Sequence, residues 1–306
     1  MKLTRRSFDL AELEVPALDF TGAADGPLLT VVAGVHGCEY ASIAALRIWA
    51  RRLAARDLRG RVLAVPVLNL PAFRARSPFV VPEDGKNLNR CFPGNPAGSL
   101  AERLADDIFT KLITGSDALI DMHAGDMVEA LKPFTLYDAG PAETRAADMA
   151  AAYGVGYVFR QEAGPDRAVA GTTSAAAAEI GIPAIIAEAG GCGLVERAAV
   201  DAHLRGLDRV LALLGMAEDP AGPGDGPPPT QLRRFQWMYS RHEGWWEPAV
   251  QVGDAVTDGQ VLGTVGSIDG TETLETVTSP ADGLPMFITS SPAVAADGLL
   301  LGLGIR

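Results

Sequence analysis

Cysteine is scarce in this chain of 306 residues. The three cysteines, Cys38, Cys91 and Cys192, are odd in number and far apart, which argues against a disulfide framework. A chain without such a framework is typical of a reducing compartment. We therefore expect a cytoplasmic protein.

Long apolar stretches are also missing. No run approaches the roughly 18–20 apolar residues that a membrane span needs. Residues 1–15 contain two arginines, but Asp9, Glu12 and Glu14 interrupt the apolar stretch that a signal peptide requires. The sequence therefore predicts neither a signal peptide nor contact with a membrane.

Positive charge is the third feature in short supply. The chain has 26 Lys and Arg against 38 Asp and Glu, a net charge of −12. Nucleic-acid binding needs a basic surface, so we expect no nucleic-acid partner. A small acidic substrate is not excluded, because an acidic protein can still bind an anion at a locally basic site. Since 48% of residues are hydrophobic and 21% charged, the composition also excludes disorder.

The first part of the chain alternates short apolar runs with helical patterns. We predict strands at 28–34, 61–68, 118–125, 133–140 and 182–190, and helices at 40–56, 99–113, 142–153, 172–181 and 195–214. This alternation predicts an α/β fold, a mixed and mostly parallel sheet with helices on both faces. Residues 69–98, rich in Pro, Asn and Gly, are typical of a long functional loop.

The pattern changes after residue 217. Residues 218–230 are rich in Pro and Gly and lack apolar anchors, which indicates a linker. Residues 231–306 contain only short strand patterns separated by Gly and Asp turns, which predicts an all-β domain. We therefore divide the chain into a catalytic domain at 1–217, a linker and a C-terminal β domain.

Polar residues follow two of the predicted strands, at the sheet edge where α/β proteins bind ligands. His36 and Glu39 are three residues apart, so their side chains can converge on one metal ion. A helix N-terminus with Glu39 complementing its dipole is the open alternative. Asp121 and His123 face the same way on a strand. His123 would complete a His, Glu, His set, while Asp121 would orient a ligand or serve a structural role.

Glu188 ends a third, otherwise apolar strand. A buried carboxylate is costly without a partner. A glutamate beside zinc, but not bound to it, is what metal-assisted hydrolysis needs for proton transfer. A structural ion pair is the alternative interpretation.

Residues 86–94 form a polar part of the long loop. Arg90 offers a planar guanidinium that suits a carboxylate, and its asparagine neighbours add neutral donors. A substrate acid could be held there, although the pattern alone is only that of a polar loop.

Four motifs occur in a fixed order along the chain. They are His-Gly-x-Glu at 36–39, Asn-Leu-Asn-Arg-x-Phe-Pro-Gly at 87–94, Asp-Met-His at 121–123 and Ala-Glu-Ala-Gly-Gly at 187–191. Together they resemble the succinylglutamate desuccinylase/aspartoacylase family, a branch of the zinc carboxypeptidase-like hydrolases. The resemblance covers residues 28–306. It implies a zinc carboxypeptidase-like sheet followed by a β half-barrel similar to lipoyl or biotinyl carriers. Because no lysine follows Lys132, carrier-style lysine attachment is excluded.

The resemblance also implies a role for each motif. The implied ligands of one zinc ion per chain are His36, Glu39 and His123, the implied acid/base is Glu188, and the implied carboxylate-binding residues are Asn89 and Arg90.

The family has a further arginine upstream that polarises the scissile carbonyl. Where we expect Arg-Phe, this chain has Pro78-Phe79. Arg76 is the nearest candidate for that role, and Arg74 is the next.

The resemblance therefore implies a zinc-dependent hydrolase that removes the N-acyl group of a small, carboxylate-bearing amino-acid derivative. The expected bond is an amide, with an ester left open. A metallocarboxypeptidase acting on small peptides is the nearest alternative, and a non-catalytic zinc- or ligand-binding protein is a more distant one. Whether the chain forms a homo-oligomer is also left open by the sequence.

Overall fold

The computed structural model describes residues 1–162, 169–219, 222 and 228–306. Its strands are β1 (Lys2–Leu10), β2 (Leu13–Thr21), β3 (Ala24–Ala33), β4 (Arg59–Val65), β5 (Ala118–His123), β6 (Glu129–Leu131), β7 (Phe134–Asp138), β8 (Tyr157–Gln161), β9 (Ala184–Glu188), β10 (Thr230–Leu232), β11 (Arg234–Tyr239), β12 (Gly244–Pro248), β13 (Val261–Gly266), β14 (Thr273–Thr278), β15 (Leu284–Thr289), β16 (Ala293–Val294) and β17 (Leu299–Ile305). Its α-helices are α1 (Tyr40–Leu53), α2 (Leu70–Ala75), α3 (Leu100–Ile108), α4 (Glu143–Tyr153), α5 (Thr173–Glu179) and α6 (Arg197–Leu213).

A nine-stranded sheet in the order β1-β2-β4-β3-β5-β9-β7-β8-β10 forms the centre of the molecule. The pairs β3–β4, β3–β5, β5–β9, β7–β8 and β8–β10 are parallel, whereas β1–β2, β2–β4 and β7–β9 are antiparallel. The mixed, mostly parallel sheet that the sequence predicts is therefore confirmed.

Helices cover both faces of this sheet. Trp49 of α1 and Leu207 of α6 pack into one core cluster, together with residues of α4. Leu104 of α3 and Ala177 of α5 pack into another, on the opposite face. Burying a leucine-sized side chain stabilises the fold by about 1.5–3 kcal/mol, so these two layers fix the sheet edge that carries the site. Among the described residues, no helix combines the length and apolarity needed to cross a bilayer.

The antiparallel pair β1–β2 at one edge of the sheet was not predicted from the sequence. Most side chains of β1 are exposed, so its sequence shows little apolar alternation. The one strongly buried acid here is Asp19 of β2, which is 2% exposed. It accepts two hydrogen bonds of 2.7 Å from Arg61 and lies 2.5 Å from Nε of Arg6. This carboxylate is fully partnered by arginines.

The C-terminal part of the chain is an antiparallel β region, as predicted. One four-stranded sheet has the order β11-β17-β15-β6 and the other the order β14-β13-β12-β16. Buried side chains such as Trp246, Leu262 and Leu301 form a core of their own.

Two short strands cross the predicted domain boundary. Strand β10 begins at the end of the predicted linker, of which residues 220–221 and 223–227 lie outside the described residues, and it pairs with β8 in the large sheet. Strand β6 leaves the N-terminal part and pairs with β15 of the β region, with Thr289 opposite Glu129 and Phe287 opposite Leu131. The segment that follows β5 is therefore hydrogen-bonded to the C-terminal sheet through β6. The division into domains remains a prediction.

Candidate active site

The predicted ligand residues meet at the carboxyl ends of neighbouring parallel strands. His36 lies in the loop after β3, and Glu39 immediately precedes α1. His123 is the last residue of β5, and Glu188, the last residue of β9, is its register partner. Residues far apart in sequence are adjacent because parallel strands end at one edge of a sheet.

His36, Glu39 and His123 form a compact buried cluster. Their ligand atoms all lie within 4.8 Å of one another. Nδ1 of His36 is 2.6 Å from Oε1 of Glu39, and Nδ1 of His123 is 2.9 Å from Oε2. His36 is 8% exposed, and Glu39 and His123 are each 2% exposed. Two imidazole nitrogens and one carboxylate are a donor set that suits zinc, with a fourth position left for water or substrate.

The remaining ring nitrogens of the histidines are held from outside the cluster. His36 Nε2 lies 3.0 Å from Asn87 Oδ1, and His123 Nε2 lies 3.0 Å from Asp121 Oδ2. A carboxylate oxygen can only accept, so His123 donates from Nε2 to Asp121, while Nδ1 faces Glu39 at the centre of the cluster. Such outer contacts orient metal-binding histidines. Oδ1 of Asp121 is buried and has no hydrogen-bond partner within the described part of the chain.

The charges of Glu39 and His123 shift each other's pKa. Burial alone would raise the pKa of Glu39, but the neighbouring His123 and His36 lower it to about 2. Burial alone would lower the pKa of His123, but Asp121 and Glu39 raise it well above its usual range. The arrangement therefore favours a positive charge between these side chains, which fits a divalent cation.

Glu188 lines the cavity beside the cluster without joining it. Burial raises its pKa to about 8; the charges of Glu39 and Asp121 also raise it, while His123 opposes the shift. Within the described ranges no arginine or lysine forms an ion pair with Glu188. The structural ion pair that the sequence left open is not found there.

A cavity of about 600 Å³ opens over the cluster. Arg90 and Asn89 both line it. Asn89 is 4% exposed and its Nδ2 lies 3.4 Å from His123 Nε2, whereas Arg90 is exposed and donates to the carbonyl of Asn89. Gly171 supports this loop, since its φ is +72° and a Cβ there would lie 2.3 Å from the carbonyl oxygen of Arg90. Among the described residues that line the cavity, Arg90 is the one arginine or lysine.

Arg76 and Arg74 are not brought into this cavity. Both are exposed, and neither is among the described residues that line it. Arg76 ends α2 with a left-handed backbone, at φ 55°. Phe79 does reach the cavity, with its ring edge-on to His36 at a centroid distance of 6.1 Å. A carbonyl-polarising role for Arg76 remains a prediction.

Several residues that line the cavity were not predicted from the sequence. Asn87 lies in one of the four motifs, but its contact with the imidazole of His36 was not predicted. Glu129 lies in a stretch without strong apolar periodicity. Aromatic side chains of the β region complete the wall, with Phe235, Trp237 and Phe287 among them. The distance in sequence between these residues and the metal cluster left no local signal for them.

Comparison with known proteins agrees with this geometry. Residues 25–214 match the family model described as the succinylglutamate desuccinylase/aspartoacylase catalytic domain. The match covers more than half of the chain, so the protein belongs to the succinylglutamate desuccinylase/aspartoacylase family. The resemblance inferred from the four motifs is confirmed.

A curated relative and two solved structures extend the comparison. N-alpha-acetyl-L-2,4-diaminobutyric acid deacetylase from Halomonas elongata is 33% identical over 250 residues, covering 79% of this chain and 71% of the relative. The product-bound ectoine utilization protein EutE (DoeB) from Ruegeria pomeroyi shares the fold, with a TM-score of 0.85, 24% identity and coverage of 99% and 94%. A succinylglutamate desuccinylase/aspartoacylase from Rhodobacter sphaeroides has a TM-score of 0.83, 25% identity and coverage of 98% and 93%. The curated deacetylase and the family match support an amide-cleaving hydrolase.

Proposed function

We propose that this protein is a zinc-dependent deacylase that hydrolyses the N-acyl amide of a small, carboxylate-bearing amino acid. The observation that carries the proposal is the joint placement of the His36, Glu39 and His123 cluster, Glu188 and Arg90 on one cavity of about 600 Å³. That volume suits a small molecule.

Zinc would be held by His36, Glu39 and His123, with Asp121 and Asn87 orienting the two imidazoles. When bound, zinc supplies a Lewis acid that polarises a carbonyl and makes water a better nucleophile. The buried mixed donor set of the cluster is the property of this chain that supports zinc as the ion.

Glu188 is the proposed proton carrier. Its carboxylate oxygen takes a proton from the attacking water and passes it to the nitrogen of the leaving amine. The absence of an ion-pair partner among the described residues leaves the carboxylate able to change protonation state. A pKa held near neutrality is what a group that first accepts and then donates a proton requires.

Arg90 is the proposed binding group for the substrate carboxylate. Its guanidinium is the one arginine or lysine head group on the described cavity wall, and a bidentate contact with a carboxylate would orient the substrate. Asn89, packed between this loop and His123, would keep the loop in place. The curated relative is named for the removal of an acetyl group from an amino acid, which supports the same reaction class here.

A small-peptide carboxypeptidase remains the competing function, because the same groups can cleave a peptide bond. The aromatic wall contributed by the β region disfavours it, since that wall limits how far a peptide could extend from the cluster. A non-catalytic binding protein is disfavoured by the presence of all four polar residues in one place.

The deciding experiment combines metal content with a substrate panel. Zinc-loaded protein should hydrolyse at least one of the N-acetyl, N-succinyl or N-formyl amino acids and should bind about one zinc per chain. Faster cleavage of dipeptides and tripeptides would favour the carboxypeptidase. Zinc binding without hydrolysis of any compound on the panel would favour a binding protein.

A further inference from the structure

The cavity over the metal cluster is bordered by aromatic rings that the proposed mechanism does not use. It is lined by four such residues from three strands, namely Phe134 of β7, Phe235 and Trp237 of β11, and Phe287 of β15. The distances between ring centroids are 5.7 Å for Phe134–Phe235, 4.7 Å for Phe235–Trp237 and 5.8 Å for Trp237–Phe287. Rings at these separations attract each other, so the four residues form one continuous surface, the aromatic row.

The aromatic row begins beside the reacting groups. Phe134 is the register partner of Glu188 in the antiparallel pair β7–β9. Residues directly opposite each other project from the same face of a sheet, so the ring of Phe134 and the carboxylate of Glu188 share one face. Leu136, two residues further along β7, projects from that face as well and also lines the cavity. An apolar group on a substrate bound at the metal cluster can therefore reach the aromatic row without leaving the cavity.

Gly302 of β17 shapes the aromatic row because it has no side chain. It is the register partner of both Trp237 and Phe287, so it lies between these two residues. A Cβ at Gly302 would lie 2.3 Å from Cε1 of Phe235 and 3.2 Å from Cζ3 of Trp237. The rings of β11 therefore lie over the backbone of Gly302, where Trp237 meets Phe287 edge-on with an interplanar angle of 74°. Packing holds the rings in place, which limits the entropy that ordering them would cost on binding.

Part of this apolar surface is left open to the cavity. Four apolar side chains line the cavity and are partly exposed, although each packs against a buried cluster behind it, namely Leu131, Leu136, Trp237 and Leu299. Removing apolar surface from water is favourable, so a ligand that covers these side chains gains free energy. Cavities of about 300–1,000 Å³ accommodate drug-sized ligands, so this one, at about 600 Å³, has room for a ring in addition to the acylated amino acid.

We propose that the aromatic row binds an aromatic ring of the substrate, so that the protein prefers N-acyl amino acids that carry such a ring. This inference rests on the proposed function, because it assigns a substrate class to the same site. Stacked and edge-on contacts between rings add attraction to simple burial, which favours an aromatic group over an aliphatic group of similar area. A ring on the acyl group and a ring on the amino-acid side chain offer the same chemistry to the row.

Two pairs of substrates test the preference and locate the ring. Nα-acetylphenylalanine against Nα-acetylalanine places the ring on the side chain, and N-phenylacetylalanine against Nα-acetylalanine places it on the acyl group. In the wild type we expect the aromatic member of at least one pair to have a kcat/KM that is higher by about tenfold to a hundredfold, the usual effect of burying a phenyl-sized group. Equal kcat/KM values within both pairs would overturn the inference.

Variants of Trp237 show whether the aromatic row is the origin of the preference. In Trp237→Ala the ratio of kcat/KM within the preferred pair should fall by about tenfold, whereas Trp237→Phe keeps a ring and should retain most of the ratio. Trp245→Ala is the matched control, because Trp245 of β12 is 47% exposed and is not among the described residues that line the cavity. An unchanged ratio in zinc-loaded Trp237→Ala, or in Trp237→Leu if the alanine variant does not fold, would contradict the inference.

A binding measurement separates this inference from the proposed function. Calorimetry with 3-phenylpropionate and propionate reports the preference for a ring without any turnover. If the protein hydrolyses N-acyl amino acids but shows no preference for a ring in kcat/KM or in Kd, the role of the aromatic row is wrong and the deacylase stands. If no N-acyl amino acid is hydrolysed but 3-phenylpropionate binds more tightly than propionate and loses that advantage in Trp237→Ala, the deacylase is wrong and the binding of a ring stands.

Discussion

Asp19 and Glu188 lie on strands of the same sheet, and their surroundings are opposite. Asp19 has two arginine partners, and the hydrogen bonds from Arg61 hold the pKa of its carboxyl below the usual value. Glu188 has no cationic partner within the described residues, and burial raises its pKa to about 8. One carboxylate is kept charged by the protein itself, while the other is free to exchange a proton.

The contrast shows that this fold can compensate a buried acid when the charge serves structure. Around the cavity it does not do so for Glu188, which has no ion pair with a described arginine or lysine, even though arginines are available elsewhere on the surface. Uncompensated charge costs free energy, so it is retained where a ligand or a reacting group supplies the missing partner. The mutations below test that distinction, beginning with the largest expected effect.

Removing a histidine of the cluster should have the largest effect. His36→Ala and His123→Ala should each lose zinc, because a glutamate and a single histidine rarely hold the ion. Metal analysis after exhaustive dialysis measures this, with the exposed His242→Ala as the matched control. Full zinc occupancy in either cluster mutant would remove that residue from the ligand set.

Glu188→Gln keeps the size and hydrogen-bonding ability of the side chain but cannot carry a proton. Turnover per bound zinc should fall by about 10²–10⁴, the usual contribution of a general acid or base. Zinc content and melting temperature should remain those of the wild type. A stable, zinc-loaded variant with near wild-type turnover would contradict the proposed mechanism, and a lowered melting temperature with normal turnover would make Glu188 structural, like Asp19.

Arg90→Ala should affect substrate binding more than turnover. A lost charge-assisted hydrogen bond is worth about 1.5–3 kcal/mol, so KM should rise about tenfold to a hundredfold for carboxylate substrates. The primary amides of the same substrates should be affected much less. Arg145→Ala, an exposed arginine on α4, serves as the control. Equal losses on acids and amides would show that Arg90 holds the loop rather than the substrate.

Asp19→Asn should leave activity unchanged and lower the free energy of unfolding by about 1–3 kcal/mol. The lower part of that range is favoured by the solvent exposure of Arg61 and Arg6, 40% and 48% for their side chains. A lowered pKa stabilises the folded state above the ordinary pKa of aspartate, near 4, and this contribution is lost as the pH falls through the folded-state pKa. Urea unfolding from pH 7 down to pH 3 should therefore show a weaker pH dependence in the mutant, whereas the exposed Asp9→Asn should behave as the wild type.

The sequence predicted those parts of the molecule that depend on local pattern. Strand β3, helix α1 and strand β9 follow from their apolar periodicity, and the cluster follows from polar residues placed at strand ends. The proximity of His36, Glu39 and His123 could be predicted because parallel strands end at a common edge of the sheet.

What the sequence did not predict depends on long-range pairing. The hairpin β1–β2 is mostly exposed, so its periodicity is weak. Glu129 lines the cavity from β6, which pairs with β15, more than 150 residues further along the chain. The family resemblance pointed to Arg76 as the residue that polarises the carbonyl; α2 ends there in a left-handed turn with the side chain exposed, and that role stays a prediction. No local pattern encodes such contacts.

The pairing of β6 with β15 also sets the order in which the site matures during synthesis. Glu188, which follows all three cluster residues in the sequence, leaves the ribosome about 100 residues before Thr289, the last residue of β15. At ordinary rates of translation this interval is about 5–20 s. Throughout it β6 lacks its partner strand β15, so a nascent chain can bring the His36, Glu39 and His123 cluster together before the wall of the cavity that the β region provides exists. If the proposed function is correct, the order of the sequence separates the assembly of the metal site from that of the substrate cavity in time.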